Sequence, residues 1–325
     1  MVRAVTQKEA AALKAEGWKA CDLHVHTSAS HDVFSIPKHS PKAVYAEAKA
    51  RGMDFVVFTD HDTFASHNAF QAKDLITGCE FRICDKTFVG HSVHVNVYAF
   101  SKAQYAKLQA TADAGSLRQF VRLCKKLQLP FQFNHPIWAE QKETLHITSI
   151  PKVARLFPVL EINAKRVRIK NDLTLMLARS LKKGVSMGSD SHIGEPGRVY
   201  TLAQGRTFKE WFSNVAKGNA VIVRKDMSIN SFAHEIAASV AAACSGVVPH
   251  SEFDAFKRKW HSGSWFVDRL VLLFIASRKY RLGRYATHLI AGGLAHSRIP
   301  SAIYMHREMS SGRSVAKKLA VVSSA

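Results

Sequence analysis

The chain has 325 residues, 47% of them hydrophobic and 10% aromatic, which is enough apolar material for a real core and excludes disorder as its main state. Lys and Arg number 46 against 25 Asp and Glu, a formal charge of +21, so the expected partners are anionic: phosphorylated small molecules, nucleic acid or an acidic membrane surface. The five cysteines (Cys21, Cys79, Cys84, Cys124 and Cys244) are odd in number and lack CxxC spacing, which argues against a disulfide framework or a thiolate zinc site. No signal-peptide pattern is legible in the polar, helix-prone first 17 residues. The longest apolar stretch, Leu270 to Ala276, is far short of the roughly 18–20 residues of a spanning helix. A soluble, cytoplasmic protein is expected.

In chain order, apolar runs bounded by turn residues predict strands at 21–27, 53–61, 76–83, 92–100, 129–136, 158–164, 184–192 and 220–225. Helix-like segments lie between several of them, at Pro41 to Arg51, Leu117 to Leu127, Asn171 to Lys183 and Phe208 to Lys217. Repeated strand–helix alternation predicts a parallel sheet, and at this length a closed α/β barrel is the economical arrangement. After about residue 228 the pattern changes. Residues 229–325 hold 13 Lys and Arg against five Asp and Glu, with helical periodicity in 234–246 and 266–295 and what reads as a frayed basic tail from Ser311. The expected organisation is therefore a barrel over 1–228 and a basic, mainly helical extension over 229–325.

Histidine carries the chemical information. Of 17, eight lie between residues 24 and 94. In His24-Val-His26 the two imidazoles, with Asp22 before them, would share one face of a strand, which suits two ligands on one metal. Alone this motif is weak. Thr59-Asp60-His61 follows the run Phe55 to Phe58, Glu80 ends Gly78-Cys79-Glu80, and Asn134-His135-Pro136 closes a further strand. In Ser92 to Val97 three valines face one way while Ser92, His94 and Asn96 face the other. Gly188-Ser189-Asp190-Ser191-His192 adds a carboxylate and an imidazole at i, i+2. Each residue alone could be a satisfied core group or a helix cap. As a set, six strand ends each delivering His, Asp or Glu match the way α/β barrels assemble active sites.

This ordered series, Asp22-Leu-His-Val-His-Thr27, Thr59-Asp-His-Asp62, Gly78-Cys-Glu80, His94, Asn134-His-Pro136 and Gly188-Ser-Asp-Ser-His192, resembles the PHP (polymerase and histidinol phosphatase) family of metal-dependent phosphoesterases over about residues 20–202. The resemblance implies a distorted (β/α)7 barrel with two or three divalent metal ions, and hydrolysis of a phosphate ester of a small metabolite or nucleotide by hydroxide that the metals activate. Carried over, His24, His26, Glu80 and Asp190 would hold one metal. Glu80 would bridge to a second, held also by His94 and His135. A third would take His61, His192 and a ligand in the loop after the HxH motif, either His31 or Asp32, with Asp32 favoured. His94 is favoured over His91 for its cleaner strand context. His39 and His67 read as surface bystanders, and Asp60 as a group orienting a ligand imidazole.

Mixed His and carboxylate ligation without thiolate suits Zn, Mn or Fe. A phosphate dianion would want cationic forks, and Arg198 and the run Lys165-Arg166-Val167-Arg168 are the candidates, the latter equally readable as a solvated basic loop. Arg198 thus joins Asp190 and His192 as an expected catalytic group. Gly184-Val-Ser-Met-Gly188 fits the G-x-S-x-G pattern of serine hydrolases, but Ser186 falls where the strand should still be running and no helix start follows.

The extension has three readings. It is a helical cap, or a nucleic-acid surface in which Trp260, Trp265, Tyr280 and Tyr285 alternate with Lys257, Arg258, Lys259, Lys279, Arg281 and Arg284, or a peripheral membrane contact over 266–294. Two rivals to the small-molecule phosphatase remain: a nuclease or exonuclease on short oligonucleotides, and a metal-binding but catalytically idle accessory protein.

Overall fold

The structure, a computed structural model, describes residues 2–140, 142–245, 247–248, 269, 272–273, 276–277 and 280–323. Its longest sheet runs β5 (Gly78–Asp85), β6 (His91–Tyr98), β7 (Phe131–Phe133), β8 (Val159–Asn163) and β9 (Gly184–Gly188) in that order. A second sheet has the order β1 (Arg3–Ala4), β11 (Ala220–Val223), β10 (Tyr200–Ala203), β2 (Lys19–Cys21), and a short one pairs β3 (Val56–Val57) with β4 (Leu75–Ile76). Single bridges join their ends: Val25 pairs with Ser191, and His61 with Glu80. The segment after β2 is also tied to the segment after β3, because Thr59 N–H donates to the Val25 carbonyl at 2.8 Å.

The sheets are mixed. β7, β8 and β9 are parallel, but β6 runs antiparallel to both β5 and β7, and β10 antiparallel to β11 and β2. The wholly parallel expectation is corrected here for a local reason. Only residues 86–90 join β5 to β6, and a connection that short returns the chain antiparallel. The expected strand at 21–27 is also shorter, since beyond Cys21 only the Val25 bridge pairs.

The helices legible in sequence form at α2 (Pro41–Ala50), α5 (Leu117–Lys126), α7 (Arg168–Ser180) and α8 (Phe208–Ala216). In α5 the apolar positions Leu117, Phe120, Val121 and Cys124 recur at one-face spacing and are all buried on the strands of the long sheet. Each large side chain so buried contributes about 1.5–3 kcal/mol relative to exposure. α1 (Gln7–Ala15) starts on a Thr6–Glu9 capping box. The sequence pattern missed α4 (Lys102–Asp113), whose start is a Ser101–Gln104 capping box and whose buried side chains are Leu108 and Ala112, too few to make a periodic signal. Short helices α3 (Ala65–Ala69) and α6 (Ile150–Ala154) complete this part.

Beyond residue 228 lie α9 (Ile229–Cys244), α10 (Arg281–Ser297) and α11 (Ile299–Ser323). The frayed tail expected from Ser311 is instead the second half of α11. Val315 is 4% exposed and packs with Ile137, Ile150 and Leu173, with Ala316 and Leu319 beside it. Spacing alone does not reveal such a dock, because the receiving groove is built by residues 137–177. Trp260, Trp265, Lys257, Arg258, Lys259 and Lys279 lie outside the described residues, as does most of 266–279. No helix among the described residues is long and apolar enough to cross a membrane.

Candidate metal centre

The ends of β2, β3, β7 and β9, the first half of β5 and the middle of β6 deliver their polar residues to one place. Glu80, in β5, is 1% exposed and lies at the middle of the group. Its Oε2 is 2.9 Å from His24 Nε2 and 3.3 Å from both His26 Nε2 and His61 Nδ1. Its Oε1 is 3.0 Å from His94 Nδ1 and 3.3 Å from His135 Nε2, and accepts from Asn134 Nδ2 at 2.8 Å. One carboxylate therefore meets five imidazoles.

Around it stand two further acids. Asp190 Oδ1 lies 3.4 Å from both His26 Nε2 and His192 Nδ1, and 3.6 Å from His24 Nε2. Asp32 Oδ2 lies 2.7 Å from His192 Nε2 and 3.3 Å from His61 Nε2. All nine residues named as ligands thus come together, in four overlapping groups: His24, His26 and Asp190; His24, Glu80 and His135; His61, Glu80 and His94; and His26, Asp32, His61 and His192. Asp32 reaches the group, while the His31 ring lies beside His61 at 5.1 Å. His91 sits at the far end of β6 from the group and stacks on His146.

The donor set fits divalent metal ions. His24 Nε2 and His26 Nε2 face each other at 3.1 Å. Edges of 2.9–3.6 Å among His24, His26, Glu80 and Asp190 are those of donors sharing an ion, since bonds of about 2.1 Å at tetrahedral angles put ligand atoms about 3.4 Å apart. In the protein alone, the carboxylates take over the balancing. Burial opposes charge on His26 and His94, but bonds to Asp190 and Glu80 lift His26 to about 9, and Glu80 and Glu140 lift His94 to about 10. Burial would raise Glu80, yet His24, His61 and His94 hold it well below the usual carboxylate range. Burial also pushes His135 down to about 4, with the Glu80 bond opposing and Arg166 assisting.

Backbone strain accompanies the site. His135 has φ 30° and Asp190 φ 55°, in the left-handed region that residues with a Cβ rarely adopt. Both sit where a strand turns sharply to present its side chain.

Several supporting residues escaped the sequence reading. Glu161, fully buried in β8, binds His24 Nδ1 at 2.7 Å and accepts the His135 backbone N–H at 3.0 Å. A carboxylate behind a ligand imidazole fixes its orientation and raises its basicity. Its signal was present: a lone Glu inside the apolar strand Val159–Asn163 is a buried polar group in need of a purpose. Gly188 makes room for it, because a Cβ there would stand 2.2 Å from Glu161 Oε1 and 2.7 Å from His24 Cβ. Glu140 holds the other side of His94, 2.9 Å from Nε2, and also accepts from Arg82.

Other expectations are corrected. Asp22 does not join the imidazoles; its buried carboxylate accepts the N–H groups of Ser189 and Gly197, and burial lifts it to about 6 against those bonds. Asp60 orients no imidazole; it accepts from the Thr27 N–H at 2.6 Å and hydroxyl at 2.9 Å, fixing the turn after His26. His39 and His67 are buried rather than on the surface, at 3% and 4% exposure. His67 Nε2 is 3.0–3.1 Å from the backbone of Gly78, a structural contact that ties α3 to the start of β5. Ser186 lies buried in β9 and donates to Gln132, as a strand residue.

Of the cations, Lys165 comes nearest, with Nζ 2.6 Å from His192 Nδ1 and 3.9 Å from Asp190 Oδ1. Arg166 is 8% exposed, stacks over the Trp138 ring at 4.9 Å, and has a buried Nε without a hydrogen-bond partner. That ring in turn packs on His94 and His135. Arg168 is exposed and pairs with Asp172. Arg198 is not brought into the cluster: its guanidinium donates to Glu195 at 3.0 Å.

No protein-family model matches the chain, and no curated protein matches its sequence. Solved structures do. PsfC from Pseudomonas syringae PB-5123 is 16% identical with a TM-score of 0.47, the match covering 63% of this chain and 91% of that one. The lesion-specific endonuclease PfuEndoQ from Pyrococcus furiosus is 15% identical with a TM-score of 0.44, and the match spans 63% of this chain but only 57% of that one. A two-domain protein from Bacteroides vulgatus ATCC 8482, described as containing a predicted PHP-like metal-dependent phosphoesterase, is 16% identical with a TM-score of 0.43, the match covering 63% of this chain and 64% of that one. In the order of its ligand-bearing motifs and in the buried cluster those motifs form, the chain resembles the PHP family of metal-dependent phosphoesterases.

Proposed function

We propose that this protein is a PHP-type, metal-dependent phosphoesterase that hydrolyses a phosphate ester of a small metabolite or nucleotide. The observation that carries the reading is the convergence of nine ionisable side chains, with Glu80 at their middle. His24, His26, Glu80 and Asp190 would hold one ion, Glu80, His94 and His135 a second, and Asp32, His61 and His192 a third. Bound divalent ions supply Lewis acidity and lower the pKa of water at neutral pH, and Zn, Mn and Fe all suit these donors.

The chain's own residues supply the rest. The group is closed on the His24 side and opens where Asp32 is 36% and His192 19% exposed, so substrate enters on that side. Lys165 stands at this opening, and the Arg166 guanidinium, held over the Trp138 ring, lies on the His135 side of the group. Two cations suit the oxygens of a phosphate dianion. Glu161 and Glu140 keep His24 and His94 in a fixed orientation, so little reorganisation is needed as substrate binds. In the net reaction a water oxygen bonds to phosphorus, the ester P–O bond breaks, and the leaving oxygen takes up a proton. Asp190 and His192 would act here by holding their ions beside Lys165, and the proton comes from the attacking water, whereas Arg198 would act only at the outer rim, after release from Glu195.

The same reading makes residues 1–228 a distorted (β/α)7 barrel, supported by the bridges from Val25 to Ser191 and from His61 to Glu80, and 229–325 a helical cap. The cap touches the site's flank: Glu235 of α9 is 3.8 Å from Lys165, and Glu308 of α11 pairs with Lys170 at 2.9 Å.

The test is elemental analysis of protein purified without chelator, with cleavage of p-nitrophenyl phosphate and of its bis ester measured with and without EDTA. Two or more ions and EDTA-sensitive cleavage are expected, the monoester preferred. Preference for the diester would favour the nuclease, and metal without cleavage the idle accessory protein. No metal after reconstitution with Mn or Zn would overturn the assignment.

A further inference from the structure

A second feature stands apart from the metal centre. α10 turns Leu282, Tyr285, Leu289, Ile290 and Leu294 outward, the first three 83%, 64% and 55% exposed. Their spacing, i, i+3, i+7, i+8 and i+12, is that of one helix face. Ile299 and Ile303, both more than half exposed, continue the apolar surface into α11. The opposite side of α10 packs on α9, where Thr287 is buried.

The charge carried by these two helices is almost all of one sign. Residues 281–297 contain no Asp or Glu, and the exposed Arg281 and Arg298 flank the apolar side chains. From 281 to 323 there are seven Lys and Arg and a single acid, Glu308, which is engaged by Lys170. An aliphatic face this exposed stays unsatisfied in water and marks a contact surface.

We propose that α10 and the start of α11 dock this protein onto an anionic lipid surface, the aliphatic side chains entering the headgroup boundary and the arginines meeting lipid phosphates. Charge complementarity selects this occupant. A second copy would bring the same basic face and a further +21 of charge against it. Nucleic acid would neutralise the arginines but leave Leu282, Leu289, Ile290 and Leu294 without apolar contact, since its sequence-independent binding uses aromatic platforms. A lipid interface satisfies both, as in amphipathic helices with basic flanks. The inference does not depend on the phosphoesterase reading.

The test uses the full chain in flotation with vesicles of phosphatidylcholine alone and of phosphatidylcholine with about one third phosphatidylglycerol. Binding to the anionic vesicles, weak binding to the zwitterionic ones, and loss of binding at high salt are expected. Replacing Leu282 and Leu289 by Glu should reduce partitioning at least tenfold. Reversing Arg281 and Arg298 to Glu should do so too, at about fivefold or more per charge. Circular dichroism and metal content should be unchanged in both variants. Equal vesicle binding by the leucine variant, or none by the wild type, would overturn the proposal. So would a wild-type dimer that Leu289→Glu dissociates, which would assign the face to a second copy. Displacement from vesicles by single-stranded oligonucleotide whose own binding survives the leucine changes would assign it to nucleic acid.

Discussion

Two regions of this molecule depart from the usual distribution of polar and apolar groups, in opposite directions. Between residues 24 and 192, ionisable side chains converge in the interior: Glu80 is 1% exposed, and His24 and His26 are no more exposed than that. Between 282 and 303, leucines, isoleucines and a tyrosine stand in solvent. Burying an ionised carboxylate costs several kcal/mol unless charge and hydrogen bonds compensate, and leaving a leucine outside forgoes about 1.5–3 kcal/mol of burial. Each departure is tolerated for a contact the chain does not make with itself. The cluster is shaped for ions, and α10 for a surface.

The contrast with an ordinary buried pair sharpens this. Lys170 and Glu308 also meet in the interior, at 2.9 Å, but there one cation answers one anion and the pair is complete. Around Glu80 one anion faces five imidazoles, four of which also contact a second acid, Asp190, Asp32 or Glu140. A structural network does not need that many donors.

The largest expected effect comes from breaking the centre of the cluster. Glu80→Ala should remove at least one ion and lower hydrolysis by well over 100-fold while far-ultraviolet circular dichroism is retained; unchanged metal content would refute its place at the centre. His26→Ala should act in the same direction. Removing the support rather than the ligand should cost less. Glu161→Gln should weaken metal affinity about 10–100-fold, read by competition with a chromogenic chelator. Gly188→Ala, which presses on the same carboxylate, should mimic it in direction.

Acid should empty the cluster. Ligating imidazoles must be neutral and carboxylates ionised, so protons compete with the ions and apparent affinity must rise with pH. Dialysis near pH 5 should strip metal and lower Tm, and return to pH 7.5 with Mn or Zn should restore both. A pH-independent metal content would argue that these imidazoles are not the ligands.

In the closed pair, Glu308→Ala should leave Lys170 charged and buried, costing about 3 kcal/mol in urea unfolding, with little change in kcat. The smallest expected effect is the most diagnostic for the other region. Leu289→Glu should change stability by no more than about 0.5 kcal/mol in the absence of vesicles, because its side chain is more than half exposed. A large loss would show that α10 is an element of the core.

Most of the candidate ligands are legible in the amino-acid order alone. His24, His26, His61, Glu80, His135, Asp190 and His192 are written in short motifs at strand ends, and a strand's two-residue period or a sharp turn suffices to say where such side chains project. The same order determined α2, α5, α7 and α8, whose apolar spacing is local. Tertiary structure decided what depends on distant partners. Glu161 and Glu140 act on histidines 137 and 46 residues away, Lys165 meets His192 across 27, and no period connects them. The antiparallel course of β6 and the docking of α11 were likewise set by which surfaces met, since α11 carries only a narrow apolar strip that becomes an anchor where Ile137, Ile150 and Leu173 receive it. Local chemistry fixed which residues could bind a metal, and only the fold could put their atoms within reach of the same ion.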